Sequence, residues 1–232
     1  MSSSTVESMA LLGYHSAVML NYVTRDNLDE KSDEWLKLLA PLGHRDWLPE
    51  PDKSALLVID CQNYFVSLPE PEGAPILPVI NSLTEAFRTV DRPVIFTRHM
   101  HKKDESDTGM LGEWWGENII ENTWESELHE SLDVKPDDIV LRKNRYNAFH
   151  GTELGEILGR HGVRDLVFTG VMTNLCCETT ARDAFVRDFR VFFPADASGT
   201  VTEEMHFASL MNIAFGFGIV LKSKQIVDLY RQ

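Results

Sequence analysis

Basic residues are scarce in this chain of 232 residues: 22 Lys and Arg stand against 36 Asp and Glu, a formal charge of −14. A phosphate-backbone binder needs the opposite balance, because its affinity comes from cations that neutralise phosphates. Nucleic acid and anionic membrane surfaces are therefore excluded as partners. Cysteine is equally sparse. Cys61, Cys176 and Cys177, two of them adjacent, make a poor disulfide set and read as intracellular thiols, so a cytoplasmic setting is expected. Long apolar runs are missing too. The stretch from Met9 to Val23 is broken by His15, Ser16 and Asn21, and the first basic residue is Arg25. A secretory signal opens on positive charge and a membrane span needs about 20 apolar residues, so neither is read here. Internal repeats and low-complexity segments are absent.

What is present is an apolar fraction of 43%, enough for a full core. Residues 1–50 read as an N-terminal extension. Ser2 to Ser4 is expected to fray, Asp33 to Leu39 to form a short helix with Trp35, Leu38 and Leu39 on one face, and the prolines of Trp47-Leu-Pro-Glu-Pro-Asp52 to break structure. The apolar residues of this extension need cover, on the main domain of residues 51–232 or on a neighbouring subunit.

From Ser54 onward, short apolar runs alternate with helical patterns. The runs are Ala55–Asp60, Pro93–Thr97, Ile139–Lys143, Leu166–Gly170, Arg190–Pro194 and Ile219–Leu221. Helical spacing appears over Ile76–Val90, Leu154–Leu158 and Met205–Phe215. Runs rich in Val and Ile without strict alternation suit strands buried on both faces, and strand–helix repetition predicts an open parallel sheet wrapped by helices. In such sheets ligands sit beyond the carboxyl ends of the strands.

Three reactive residues stand at those ends: Asp60, Lys143 and Cys176. Singly, each has a bland reading as a turn cap, a solvated charge and a small buried hydrophobe. Together they would share one edge of the sheet. Val167 to Phe185 runs from strand through Gly170 into a helix whose N-cap is Asn174 or Thr173, which puts Cys176 in the first turn. Free N–H groups, the helix dipole and a nearby ammonium such as Lys143 predict a lowered thiol pKa there, hence a nucleophile. Cys177 and Cys61 point elsewhere and read as packing.

Leu56-Leu-Val-Ile-Asp-Cys-Gln-Asn-Tyr-Phe65, Lys143-Asn-Arg-Tyr-Asn-Ala-Phe149 and Gly170-Val-Met-Thr-Asn-Leu-Cys-Cys-Glu-Thr-Thr-Ala-Arg-Asp-Ala184, in this order, resemble the isochorismatase-like cysteine hydrolases over roughly Ser54 to Val227. That family includes nicotinamidases, N-carbamoylsarcosine amidases and isochorismatases. The resemblance implies a three-layer α/β/α fold on a mostly parallel, six-stranded, Rossmann-like sheet, and a homo-oligomer. It implies a catalytic set of Asp60, Lys143 and Cys176, a cis peptide at Val171-Met172, and an oxyanion hole from the N–H groups of Met172 and Cys176. It requires no cofactor and a small-molecule substrate. Gly112-Glu-Trp-Trp-Gly116, Arg145–His150 and His206–Leu210 look closest to the isochorismatase branch, whose members carry Gly at the nucleophile position and cleave a vinyl ether with the Asp as acid. Cys176 instead favours thiol-dependent hydrolysis of a small carboxamide or related C–N bond through a thioester, with vinyl-ether cleavage as the alternative.

Substrate contacts are expected from Gln62, Phe65, Tyr146 and Phe149. Trp114 and Trp115, in a patternless stretch from Arg98 to Trp124, could wall the pocket, anchor the loop or meet another subunit. Arg98 and Arg145 are candidates for holding a substrate carboxylate. Nicotinamidases carry an Asp-x-His metal motif after the second strand, and here His99-Met-His101 stands in its place. Two histidines fall short of a metal's ligand count, so they read as pocket-lining residues with no metal, which points away from nicotinamide.

Overall fold

A computed structural model describes residues 22–67 and 74–232. The expected frayed start, Ser2 to Ser4, lies outside the described residues. Strand β1 (Ser54–Ile59) is buried at every position, as an apolar run without alternation requires. It pairs in parallel with β2 (Val94–His99) on one side and β4 (Asp165–Val171) on the other. β3 (Ile139–Lys143) forms the edge beside β2, while β5 (Arg190–Pro194) and β7 (Ile219–Leu221) extend the sheet beyond β4, in the order β3-β2-β1-β4-β5-β7. The six expected strands are all there. A seventh, β6 (Ser198–Gly199), pairs in parallel with the end of β4, and the expected six-stranded sheet has seven strands. Two residues are too short to leave a periodic trace in a sequence.

The chain lays down β1, β2 and β3 outward in one direction, then returns past β1 to add β4. This reversal opens a crevice at the carboxyl ends of β1 and β4, the ordinary ligand position in open α/β sheets. Gly170 makes the approach possible. Its φ is +104°, and a Cβ there would lie 2.0 Å from the Ile59 carbonyl oxygen.

Helices cover the sheet. Among the described residues they are, in chain order, α1 (Leu28–Leu39), a single turn α2 (Asn63–Val66), α3 (Leu77–Thr89), α4 (Met110–Trp115), α5 (Leu154–Arg160), α6 (Glu178–Val186), α7 (Glu203–Gly216) and α8 (Ser223–Tyr230). α1 starts five residues earlier than the apolar pattern predicts. Its buried face is Leu28, Ser32, Trp35 and Leu39, and the Ser32 hydroxyl is made compatible with burial by donating to the Leu28 carbonyl at 2.6 Å. Trp35, only 3% exposed, donates its indole N–H to Glu203 at 2.9 Å, while Lys31 pairs with Glu203 and Lys222 with Asp33 at 2.8 Å. No described helix is long and apolar enough to cross a membrane.

Candidate active site

Asp60 follows β1 with φ of +50°, a left-handed conformation that Asp tolerates better than most residues. Its carboxylate is wholly buried. Thr97 on β2 donates its hydroxyl to Oδ1 at 2.7 Å, and the Asp60 N–H donates to Thr97 Oγ1 at 3.2 Å. Oδ2 faces the Lys143 ammonium at 2.6 Å, with both side chains fully buried. Lys143 closes β3 opposite His99 in the ladder, and its Nζ also donates to the Arg145 carbonyl at 3.0 Å and to Cys176 Sγ at 3.3 Å. Acid, amine and thiol, spread over more than a hundred positions of the chain, share one centre.

Cys176 reaches that centre on a π-helical turn, Thr173–Cys177, which follows the cis peptide Val171-Met172 and runs into α6. Neither expected N-cap acts as one. Thr173 Oγ1 hydrogen-bonds His206 Nδ1 at 2.9 Å, and Asn174 Oδ1 accepts from the Thr200 hydroxyl at 2.6 Å. Both side chains are drawn toward α7 and β6, where stronger partners lie. Thr180 anchors the turn from inside the helix, accepting from the Ala148 N–H and donating to the Cys176 carbonyl at 2.7 Å. Cys61 and Cys177 are fully buried thiols against backbone carbonyls, consistent with packing.

The electrostatics correct one expectation. Burial, joined by the Asp60 charge, pushes the Cys176 thiol up to about 12, and the Lys143 ammonium only partly offsets this. The ammonium is already paired with Asp60, so the first-turn position and the lysine do not yield a resting thiolate. Burial works against the Lys143 charge as well, but Asp60 and the thiol outweigh it and raise its pKa. The resting cluster is an ion pair beside a neutral thiol.

His99, Asp60 and Cys176 together present the donor set of a metal site. Lys143 Nζ lies 3.4 Å from His99 Nδ1, 2.6 Å from Asp60 and 3.3 Å from the thiol, so the ammonium fills the centre of that set. A cation does not fit there beside it. The second histidine, His101, faces His99 with Nε2 to Nε2 at 3.2 Å.

The expected substrate contacts divide. Tyr146 lies beside the cluster, near enough that Cys176 and Lys143 act on its phenol, and accepts from the Trp115 indole N–H at 2.7 Å. Trp115 stands on α4 with Trp114, which is 77% exposed. Phe65 packs partly buried against the core and edge-on to Tyr64. Phe149 is buried, stacked on Phe189 under the Arg187 guanidinium. Gln62 bridges strands: its amide donates to the carbonyls of His99 and Ser126 and accepts from the His99 N–H. Arg98 donates to Ser126 and Glu127, and Arg145 to the carbonyls of Asp107 and Asn144. Thr97, Thr180 and Asp107 were not singled out by sequence. Asp107 accepts from Arg142, Asn144 and the Lys102 N–H and pins the loop before α4.

An open parallel sheet with its reactive groups gathered at the crossover crevice places the protein among the α/β enzymes of that design. Residues 54–225 match the isochorismatase domain, and the chain belongs to that family of hydrolases. Nicotinamidase 3 of Arabidopsis thaliana is 47% identical over 176 residues, 75% of this chain and 86% of that protein. Enterobactin synthase component B of Escherichia coli is 32% identical over 81% of this chain and 67% of its own length. The crystal structure of a cysteine hydrolase from Pseudomonas syringae pv. phaseolicola superposes with a TM-score of 0.74 at 29% identity, covering 82% of this chain and 97% of that one.

Proposed function

We propose that the protein is a cysteine-dependent hydrolase of a small, uncharged carboxamide. The observation that carries this reading is the buried Lys143 ammonium held between Asp60 at 2.6 Å and Cys176 Sγ at 3.3 Å. Asp60 takes the thiol proton as Sγ attacks the amide carbon. The N–H groups of Met172 and Cys176 receive the oxyanion, and Lys143 balances the charge that develops on sulfur. The tetrahedral adduct collapses as protonated Asp60 returns its proton to the leaving nitrogen, and ammonia or an amine departs. Water then gives a proton to Asp60 and its oxygen to the thioester carbon. Sulfur leaves, regains its proton, and the carboxylic acid is released.

Two features support an uncharged substrate. Arg98 and Arg145 are already engaged by protein acceptors. The face offered by Trp115 and Tyr146 is aromatic with a single polar bridge. The likeness to a nicotinamidase makes nicotinamide the first compound to assay, despite the His99-x-His101 departure. The test is ammonia release from nicotinamide and a panel of neutral small amides, with pyruvate release from isochorismate run alongside. Cys176→Ala should cost at least about a thousandfold, and Cys177→Ala little. Pyruvate release that survives Cys176→Ala and is lost in Asp60→Ala would replace this reading with vinyl-ether hydrolysis. The protein is further proposed to be a cytoplasmic homo-oligomer whose N-terminal extension packs on the core. Three free thiols support the setting, and Phe185, Val186 and Phe215, each about half exposed or more, are apolar surface for a partner copy. Light scattering would give its mass.

A further inference from the structure

The turn that carries Cys176 starts without a cap. Met172 stands at its N-cap position with an extended backbone (φ −87°, ψ 142°), and no side chain caps the turn. The Met172 carbonyl accepts from the N–H of Leu175 at 3.1 Å and of Cys177 at 3.2 Å, passing over the N–H of Cys176 between them. Such a π-helical closure is rare and concentrated at functional sites. The next two residues favour an ordinary start instead. Thr and Asn are preferred N-caps, and an N-cap oxygen accepts from the N–H two or three positions on. From Thr173 those are Leu175 and Cys176, and from Asn174 they are Cys176 and Cys177. Either cap would compete for the Cys176 N–H.

Both side-chain oxygens are held from outside the turn. Thr173 Oγ1 and His206 Nδ1 lie 2.9 Å apart, with both residues fully buried. Asn174 Oδ1 accepts from the hydroxyl of Thr200 at 2.6 Å, and Thr200 is buried as well. The N-terminal extension backs the two partners. The His206 ring packs against Trp35 and Tyr22, with centroids 4.6 and 5.9 Å away, and the Tyr22 hydroxyl accepts from the Thr200 N–H at 3.4 Å. Resting on the hydrolase reading above, we infer that His206 and Thr200 are positioning residues: by binding Thr173 and Asn174 they prevent helix capping, keep the nucleophile turn π-helical and leave the Cys176 N–H free for the oxyanion. The extension, through Tyr22 and Trp35, completes the clamp.

The test is a rescue. His206→Leu frees Thr173 and should lower kcat at least about tenfold, toward the hundredfold or more that loss of one oxyanion donor carries, with KM little changed. His206→Leu/Thr173→Val has no oxygen at that position to cap with and should recover kcat to within about threefold of wild type. His206→Asn, whose amide reaches the position of Nδ1, should do the same. Thr200→Val, a near-isosteric change that spares the fold, and its pairing with Asn174→Leu should repeat the pattern at the second anchor. Residues that only support the fold predict the opposite, a double variant worse than either single. Single variants equal to wild type in kcat, or double variants below the singles, overturn the inference. A second readout needs no substrate: in crystal structures of His206→Leu and Thr200→Val, Thr173 Oγ1 and Asn174 Oδ1 respectively should lie about 3 Å from the Cys176 nitrogen. An unchanged turn in both overturns the inference too. Failure of the hydrolase reading shows separately, as turnover that survives Cys176→Ala.

Discussion

Removing the charge of Lys143 is the most informative single perturbation. Lys143→Met keeps most of the side-chain volume and leaves Asp60 wholly buried without its ion partner at 2.6 Å. At that separation the attraction is about 6 kcal/mol for an effective dielectric near 20, set against a desolvation penalty of several kcal/mol for each ion. The pair therefore contributes little net stability, while breaking it exposes the full penalty of one unpaired charge, about 3–5 kcal/mol. Thr97 still donates to Oδ1, which places the expected loss toward the lower end. Asp60→Asn should cost a comparable amount, because it strands the ammonium. The double variant Lys143→Met/Asp60→Asn, carrying neither charge, should lie within about 1–2 kcal/mol of wild type, a strongly non-additive cycle. Urea unfolding at pH 7.5 measures all four proteins, provided the slope with denaturant is unchanged. Single variants that each cost under about 1 kcal/mol, or a double variant equal to the sum of the singles, would refute the picture of a dry, mutually dependent ion pair.

Further outcomes follow from other parts of the fold. Gly170→Ala would place a methyl group into the Ile59 carbonyl at a φ that disfavours L residues, so it should cost more than about 4 kcal/mol or prevent soluble expression, read by the urea midpoint or yield. Trp35→Ala should cost about 3–5 kcal/mol on the same assay, because α1 is packed into the body by that ring. His206, buried and pushed down to about 4 by loss of solvent, binds its proton more readily unfolded than folded. Its contribution is complete above about pH 6.5 and is lost as pH falls toward 4, about 3 kcal/mol in all; urea midpoints at pH 7.5 and pH 5 should differ accordingly, and less so in His206→Gln. Resting Cys176 should react with iodoacetamide at neutral pH more slowly than free cysteine, measured by peptide mapping, since its thiol is neutral and only 6% exposed.

Much of this was legible along the chain, for identifiable reasons. β1 and β4 are buried on both faces, so their apolar runs announced them, and Asp60, Lys143 and Cys176 stood out because a reactive side chain closing a strand in a parallel sheet has only one edge to occupy. The obscure features depend on partners distant in sequence. Thr97 reads as an ordinary strand residue until Asp60 is seen above it, thirty-seven positions away. Gln62 sits in the motif close to the reactive acid, and only in the fold does its amide tie the end of β1 to β2 and to the loop at Ser126. Arg98 and Arg145 looked available because Glu127 and Asp107, which lie in segments without periodicity, gave no sign that they or their loops lay within reach. The direction of the Cys176 shift is hidden from the sequence for the same reason. Helix position and a neighbouring amine can be read locally, whereas burial and the prior claim of Asp60 on that amine cannot.

The central claim is that the Cys176 sulfur forms a covalent bond during turnover. Rapid acid quench of the enzyme with a carboxamide it hydrolyses, followed by intact-mass and peptide analysis, tests this directly. The account predicts an added acyl mass confined to the peptide bearing Cys176 and absent from Cys176→Ala, which turns over at background rate. Hydrolysis at an undiminished rate in Cys176→Ala would contradict it.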